Sequence, residues 1–311
     1  MRLIQLVPAG TKIGFMRVRN YALLFSTVVC LVSIVAAFVQ GFNFGIDFRG
    51  GILIEIRTQG PADIAGLRTK LNGLGLGEVQ LQGFGRPDDV LIRIQRQEGS
   101  EAAQNQAVEK VRATLGTAVE YRRVESVGPK VSGELIQSGV QATLVALLAI
   151  MIYIWFRFEW QFGVGATIAT VHDVISMIGL FSIFQLEFDL TTVAAVLTIA
   201  GYSVNDTVVV YDRLRENLRK YKSMPLDQLI DLSINETLSR TILTSTTTLL
   251  AVLSLFFFGG PVIHGFSLAM IWGIVFGTYS SIYVASPMLV HFKLRRGNFA
   301  DEPEQKQTAI P

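Results

Sequence analysis

The sequence predicts an α-helical membrane protein with six transmembrane helices in a 1+5 arrangement. One α+β ferredoxin-like extracytoplasmic domain is predicted between the first and second helices. Half of the 311 residues are hydrophobic and only 17% are charged, whereas a soluble domain carries about 25% charged residues. The hydrophobic residues are concentrated in six stretches, each long enough to cross the hydrocarbon core of a bilayer.

The six hydrophobic stretches begin and end where polar or charged residues interrupt them. They are Tyr21–Val39, Leu135–Phe156, Phe162–Phe184, Leu190–Tyr211, Thr241–Phe258 and Phe266–Phe292. The first stretch follows Arg17 and Arg19, as the core of a signal peptide would. It is longer than the roughly 7–15 residues of such a core, so we predict an uncleaved membrane anchor.

The short loops between the stretches alternate between basic and neutral. The loop after the fourth stretch holds Arg213, Arg215, Arg219, Lys220 and Lys222, whereas Gln185–Asp189 and Gly259–Gly265 contain no Lys or Arg. Basic loops remain on the cytoplasmic side of the membrane. We therefore predict a cytoplasmic N-terminus (1–20), a first transmembrane helix (21–40), an extracytoplasmic domain (41–133), a five-helix transmembrane domain (134–292) and a cytoplasmic tail (293–311).

The extracytoplasmic region shows two helical patterns among four strand patterns. The predicted strands are Gly51–Thr58, Val79–Phe84, Val90–Arg96 and Val119–Gly128, and the predicted helices are Ala62–Gly75 and Glu101–Gly116. The order β-α-β-β-α-β is that of a ferredoxin-like split βαβ unit. No catalytic cluster is evident in this region, and the fold hosts many functions.

The fourth stretch carries a carboxylate, Asp206, at membrane depth. A charge at the bilayer centre costs at least ~2.5–3.5 kcal/mol, so such residues are paired, hydrated or protonated. Arg240 stands at the start of the fifth stretch and is the predicted partner. Such a pair serves proton-coupled movement, or it is a structural ion pair that only holds two helices together.

Further polar residues accompany this pair at helical spacing. Thr198, Tyr202, Asp206 and Arg213 form a stripe with Asn205 beside it, and Arg240 shares a face with Thr244, with Thr247 or Thr248, and with Ala251. Hydroxyl-rich stripes in membranes line helix interfaces or wet paths. We therefore treat Tyr202, Asn205 and Thr244, together with His172 of the third stretch, as supporting polar residues.

The third stretch contains His172 and Asp173. Asp173 lies about 16 Å along the helix from the start of its stretch, and so is also deep. Two carboxylates and a histidine allow a proton relay, although His172 is equally explained as a contact between helices. Ser223–Leu238 has the pattern of an amphipathic helix on the inner membrane surface, or of a simple connector.

Several chemistries have no visible site in this sequence. The chain has neither the GxxxxGK[ST] motif of nucleotide hydrolases nor the HExxH motif of zinc peptidases. Its one cysteine, Cys30, lies in the first stretch, which suits a bacterial envelope protein. We predict no cofactor, no metal and no nucleic acid partner.

Five motifs make the chain resemble the SecF subunits of the bacterial protein-export machinery, in the SecD/SecF family. These motifs are FNFGIDFRGG (Phe42–Gly51), ESVGP (Glu125–Pro129), WFRFEW (Trp155–Trp160), GYSVNDTVVVYDRLREN (Gly201–Asn217) and LSRT (Leu238–Thr241). They occur in order over nearly the whole chain. The fourth motif together with LSRT is the most specific.

The resemblance implies a proton-driven transport subunit rather than an enzyme, located in the bacterial inner membrane. It implies pairing with SecD into a twelve-span assembly, so that the chain is half of a pseudo-symmetric transporter of the RND superfamily. SecYEG, YajC and translocating preprotein are the further partners it implies. It assigns proton coupling to Asp206 and Arg240. We predict Asp173 as a third residue of the same role. Two alternatives are an RND-type exporter of small molecules or lipids and a scaffold that transports nothing.

Overall fold

The structure is a computed structural model that describes Pro8 and residues 11–97, 101–260 and 263–292. In chain order its helices are α1 (Arg19–Val39), α2 (Ile46–Arg49), α3 (Ile64–Asn72), α4 (Glu101–Leu115), α5 (Pro129–Arg157), α6 (Trp160–Ile183), α7 (Leu190–Lys220), α8 (Leu226–Phe258), α9 (His264–Ser280) and α10 (Ser286–His291). Its strands are β1 (Asn43–Phe44), β2 (Gly51–Thr58), β3 (Val79–Gly83), β4 (Asp89–Ile94), β5 (Val119–Val127) and β6 (Glu187–Phe188). The predicted tail at 293–311 lies outside the described residues.

Six helical segments in the described part of the chain are long and apolar enough to cross a membrane. They are α1, α5, α6, α7, α8 and the segment that α9 and α10 form together. In their most apolar windows, α6, α7 and the last segment are 61%, 50% and 56% buried, whereas α1, α5 and α8 are 11%, 6% and 11% buried. The 1+5 prediction is confirmed, with three helices inside the bundle and three at its outside.

Two helix boundaries differ from the prediction. The fourth span continues beyond Tyr211 to Lys220, and the fifth begins at Leu226 rather than Thr241. The separate amphipathic helix predicted at Ser223–Leu238 is therefore wrong. No Gly or Pro interrupts the chain between Leu226 and Phe258, so nothing breaks the helix where the polar segment becomes apolar.

The amphipathic half of α8 packs on its neighbours rather than standing alone. Asp231 accepts a hydrogen bond from the Met16 amide at 2.9 Å, and Asn217 of α7 donates to Ser233 at 2.9 Å. Arg213 of α7 donates to Glu236 at 2.8 Å. These contacts fix α8 against α7 at the end of the bundle that the sequence predicts to be cytoplasmic.

The region between α1 and α5 forms a four-stranded antiparallel sheet in the order β3-β4-β2-β5. The element order β-α-β-β-α-β predicted from the sequence is found. One core of aliphatic residues lies between this sheet and the two helices, with Ile52, Ile54, Ile56 and Ile92 fully buried. Alternate residues of β2 thus supply the centre of this core.

A bidentate ion pair joins β2 to β4 at one end of this sheet. Arg57 on β2 donates to both carboxylate oxygens of Asp89 on β4, at 2.7 and 2.9 Å. These hydrogen bonds hold the pKa of Asp89 below its ordinary value. A carboxyl with a lowered pKa contributes stability above its unfolded pKa of about 3.9 and loses it as the pH falls through the folded value.

We expect Asp89→Asn to loosen the sheet at pH 7, because Asn cannot accept both charged hydrogen bonds from Arg57. Amide hydrogen exchange of β2 and β4 in the full chain, measured by mass spectrometry, should become faster at pH 7. The difference from the unmodified chain should shrink as the pH falls below ~3.9, the pKa of the unfolded chain, and vanish once the pH is below the lower pKa of folded Asp89. Glu125→Gln, which breaks the partly exposed Arg123–Glu125 pair on the neighbouring strand β5, is the control. Equal exchange in both variants at pH 7 would contradict the expectation.

Candidate functional site

Asp206 lies on the inner side of α7 and is only 8% exposed. Its Oδ1 accepts a hydrogen bond from the Thr241 hydroxyl of α8 at 2.8 Å. Its Oδ2 has no hydrogen-bond partner among the described residues. A buried carboxylate with one oxygen satisfied and the other open is costly to keep charged without further help.

Asp206 lines a small cavity between α7 and α8. The cavity has a volume of about 80 Å³, enough for a water molecule. It is lined by Tyr202, Asn205, Asp206, Val209, Arg240, Thr241 and Thr244. The structure thus brings together Asp206, Arg240 and three of the four residues predicted to support them.

The described part of the chain shows no direct ion pair between Asp206 and Arg240, and their joint role in proton coupling stays a prediction. The two side chains share the cavity, but Oδ1 of Asp206 is taken by Thr241 and Oδ2 has no partner in the described part of the chain. Neighbouring residues on a helix point about 100° apart, so Thr241 faces α7 while Arg240 turns toward the exposed side of α8. Arg240 therefore acts on Asp206 across the cavity.

A second polar cluster surrounds Asp173 on α6, which is 1% exposed. Its Oδ1 lies 2.9 Å from Nδ1 of His172. Its Oδ2 accepts hydrogen bonds from Ser203 of α7 at 2.5 Å and from Ser280 of α9 at 2.7 Å. One carboxylate therefore joins three helices, and unlike Asp206 it has a partner on each oxygen.

His172, the fourth supporting residue of the prediction, belongs to this second cluster. Its ring lies 6.3 Å from the Phe276 ring and 6.2 Å from the Tyr279 ring. Its Nε2 is buried without a hydrogen-bond partner among the described residues. His172 is therefore a helix contact and a hydrogen-bond partner of Asp173, and its part in a proton relay stays a prediction.

The two clusters meet at a distorted turn in the last span. Residues Ser281–Ala285 form a π-helical turn between α9 and α10, a feature found frequently at functional sites. Ser280 bonds to Asp173, and the next residue, Ser281, lies 2.8 Å from the Thr207 hydroxyl, one residue after Asp206. Ser280 and Ser281 therefore connect the surroundings of Asp173 with the surroundings of Asp206.

Four residues that contact the buried carboxylates or their neighbours were not predicted from the sequence: Thr241, Ser280, Ser281 and Thr207. Thr241 stands inside the LSRT motif, so its position next to Arg240 was the available signal. The serines look like ordinary small residues in an apolar span, and only the packing of α9 on α7 shows what they contact. In the described part of the chain no three His, Cys, Asp or Glu side chains converge as they would around a metal ion.

Comparison with known proteins assigns this architecture to a family. A family model described as "Protein export membrane protein SecD/SecF, C-terminal" matches residues 107–295. A second, "SecD/SecF GG Motif", matches residues 35–62. The chain belongs to the SecD/SecF family. The predicted resemblance is confirmed, and with six apolar helices this SecD/SecF member is a multi-pass membrane protein.

Individual SecD/SecF relatives match over almost their full length. The protein translocase subunit SecF of Rickettsia felis is 48% identical over 301 residues, covering 95% of this chain and 96% of the relative. The corresponding subunit of Rickettsia bellii is 49% identical over 295 residues, covering 93% and 96%. Both relatives are named as subunits of a protein translocase, so this chain is similar to a transport component.

Solved SecDF structures match as well. The crystal structure of SecDF, a translocon-associated membrane protein from Thermus thermophilus, superposes with a TM-score of 0.83 at 38% identity. That match covers 93% of this chain and 40% of SecDF. SecDF in a super-membrane-facing form superposes with a TM-score of 0.65 at 37% identity, covering 95% and 40%. The chain thus spans about two fifths of the solved SecDF chain.

The GG motif of the SecD/SecF family has a steric explanation in this structure. Gly50 and Gly51 have φ angles of +71° and +127°, which side-chain-bearing residues rarely adopt. A Cβ at Gly51 would also lie 2.7 Å from the Ile94 carbonyl oxygen. The motif therefore lets the chain turn sharply from α2 into β2 while β4 packs closely beside it.

Proposed function

We propose that the chain is a proton-driven subunit that, with a SecD-like partner, assists preprotein export across the bacterial inner membrane. In this proposal SecYEG is the channel it serves, YajC associates with the pair, and transport rather than covalent catalysis is the chain's own activity. The observation that carries the proposal is the open oxygen of Asp206, buried beside a cavity that it shares with Arg240.

The geometry suits a carboxylate that gains and loses a proton. The unpaired Oδ2 is the atom that takes the proton, and the cavity that Asp206 lines has room for a water molecule. The Thr241 hydroxyl stabilises the ionised form at Oδ1, and Arg240 favours the same form across the cavity. One charge crossing 100 mV supplies about 2.3 kcal/mol, so a few protons per cycle can bias a conformational change.

The polar surface of α8 argues for a partner subunit. Arg240, Thr244 and Thr247 are exposed on this helix, and Arg240 lies about 21 Å along the helix from Leu226. Charged and hydroxyl side chains at membrane depth face protein or water rather than lipid. A SecD-like protein covering this face is consistent with the match to two fifths of SecDF.

The extracytoplasmic domain is assigned within the same proposal to the ferredoxin-like fold, supported by its element order and by the strand order β3-β4-β2-β5. A cleft of about 470 Å³ lies beside it, lined among others by Arg49, Arg93 and Arg96. An exporter of lipids or apolar compounds needs a mostly apolar pocket. This charged lining disfavours that alternative.

The proposed orientation has both termini and the α7–α8 connection in the cytoplasm and the sheet domain outside. Cysteines at the exposed positions Gln82 and Ser223, in a Cys30→Ser background, should react with an impermeant thiol reagent from opposite sides of the membrane. The warrant is the alternation of basic loops. Ser100, another candidate position, lies outside the described residues. Labelling of both cysteines from one side would contradict the six-span orientation.

The function itself is tested by preprotein release from membrane vesicles. We expect vesicles that contain this chain and its SecD-like partner to release preprotein faster when a proton gradient is imposed. Vesicles lacking the chain should respond no more than vesicles whose gradient has been collapsed by an ionophore. A purified chain that remains monomeric and drives gradient-dependent transport without a partner would contradict the proposed assembly.

A further inference from the structure

The sheet domain consists of β2–β5 with α3 and α4. Among the described residues, one ion pair joins it to the membrane-spanning part. Arg93 on β4 donates to Glu187 on β6, with side chains 17% and 29% exposed. The remaining ion pairs in the described part of the chain join residues within the sheet domain or within the membrane-spanning part. Arg93 is thus the charged link from the sheet to the bundle.

Glu187 stands in a short connection that is held rigidly. It lies between the end of α6 at Ile183 and the start of α7 at Leu190. Strand β6 pairs in parallel with β1, placing Asn43 opposite Glu187. Asp189 caps α7 in a capping box with Thr192. Because this connection is short and tied at both ends, a shift of α6 against α7 moves Glu187 with it.

The two helices that flank Glu187 are those that carry the buried carboxylates. Asp173 lies on α6 and Asp206 on α7, and the Ser203–Asp173 hydrogen bond joins the two helices inside the bundle. The connection that holds Glu187 is the direct chain link between them outside the bundle. A displacement at Asp173 therefore reaches Glu187 along α6 alone, and a displacement at Asp206 reaches it along α7 alone.

Arg93 is the cation that balances a local excess of negative charge. Asp47, whose carboxylate accepts a hydrogen bond from the Leu190 amide at 3.0 Å, and Asp189 both lie near Glu187 and add to its negative surroundings. Burial raises the pKa of the Glu187 carboxyl above its ordinary value, and Arg93 opposes that rise. Without Arg93, three neighbouring carboxylates would repel one another.

Arg93 also lines an open cleft. The cleft of about 470 Å³ is lined on one side by residues between Asn43 and Gly50 and on the other by Glu78, Gln80 and the end of β4. The sheet therefore has space to move against the β1–α2 segment, which pairs with β6. A charged pair beside such space can fix one position of the sheet while leaving others accessible.

We propose that Arg93 and Glu187 are coupling residues that transmit movement of α6 and α7 to the extracytoplasmic sheet domain. This inference rests on the proposed proton-driven function, because it names how the carboxylates inside the membrane reach the domain outside. Neither residue handles the transported proton. Both act by holding the position of β4 against β6.

The first test separates proton conduction from export in the assembled complex. Glu187→Gln should leave proton conduction into proteoliposomes unchanged and reduce gradient-driven preprotein release about tenfold, within the range of coupling free energies between sites. The double variant Arg93→Glu with Glu187→Arg should recover most of the release, because it restores the pair with reversed charge. Arg86→Gln, which breaks an exposed pair within the domain, should release at the normal rate.

The second test measures the contact without reference to function. Spin labels at Gln82 on β3 and at the exposed Phe184 report the distance between the domain and the outer end of α6. The distance distribution should broaden in Glu187→Gln, return in the charge-reversed pair and remain unchanged in Arg86→Gln. An unchanged distribution in Glu187→Gln, or normal release from it, would overturn the inference. A complex without any gradient-dependent release would instead overturn the proposed function, and the spin-label distances would still decide whether this pair holds the domain.

Discussion

Asp206→Asn is expected to abolish gradient-driven preprotein release while leaving the complex assembled. Asn keeps the shape of the side chain, and its amide oxygen can still accept the hydrogen bond that Thr241 donates to Oδ1. It cannot take up or release a proton at the position of Oδ2. Release in the presence of a gradient should therefore fall to the rate measured without one, in vesicles that contain the variant and its partner.

Asp212→Asn is the matched control, because it removes a carboxylate from the same helix. Asp212 pairs with Arg157 at 3.0 Å, and both side chains are 44% exposed. An exposed pair of this kind contributes about 0–1 kcal/mol, so export should be normal. A well-assembled Asp206→Asn complex with normal gradient dependence would remove Asp206 from the mechanism. Loss of both assembly and export in Asp206→Asn would favour a carboxylate with a purely structural role.

Asp173→Ala is expected to have the opposite signature, with loss of assembly rather than loss of coupling alone. The carboxylate has a partner on each oxygen and joins α6 to α7 and α9. Removing it leaves buried donors without their acceptor, at about 1–3 kcal/mol for each group left unpaired. The thermal unfolding midpoint of the purified chain should drop markedly, and less complex should be recovered with the partner.

Asp173→Asn provides the comparison for this second change. Asn retains one acceptor oxygen and nearly the same volume, so it should lose less stability than Ala. Ser267→Ala, on α9, controls for removal of a buried polar group, because that hydroxyl bonds only to its own helix at Ile263 among the described residues. An Asp173→Ala chain that unfolds at the normal temperature and assembles fully would show that the cluster does not hold the helices together.

These two expectations differ because the hydrogen bonding of the two carboxylates differs. Asp173 is satisfied on both oxygens and is nearly inaccessible, which fits a residue that fixes helices in place. Asp206 has one oxygen without a partner among the described residues and lines a cavity, which fits a residue that exchanges a proton. The proposal that Asp173 takes part directly in proton coupling remains a prediction. The Asp173→Asn variant decides it by its gradient dependence.

Much of the fold could be predicted from the sequence because a bilayer requires long apolar stretches and a half-buried strand requires alternating residues. Runs of apolar residues identified six spans, and alternation in Gly51–Thr58 identified a strand that the structure confirms at the same bounds. The start of α8 could not be predicted from hydropathy. Its first half is polar and only its contacts with α7 and Met16 show that the helix continues.

The candidate site was predictable in its residues but not in its contacts. Helical spacing placed Tyr202 beside Asp206, and both line the cavity with Arg240. The same spacing could not show that Thr241, rather than Arg240, reaches Asp206, because a rotation of about 100° between neighbours decides it. The π-helical turn at Ser281–Ala285 was not predicted, although Pro287, which follows it and cannot donate a backbone hydrogen bond, was an available signal.

Proton conduction by the assembled complex tests the central claim most directly. The complex of this chain with its SecD-like partner is placed in proteoliposomes that contain a pH-sensitive dye, and a membrane potential is imposed. The unmodified and Asp212→Asn complexes should acidify the lumen at the same rate, and the Asp206→Asn complex should be no faster than protein-free liposomes. Conduction by Asp206→Asn at the unmodified rate would contradict the account.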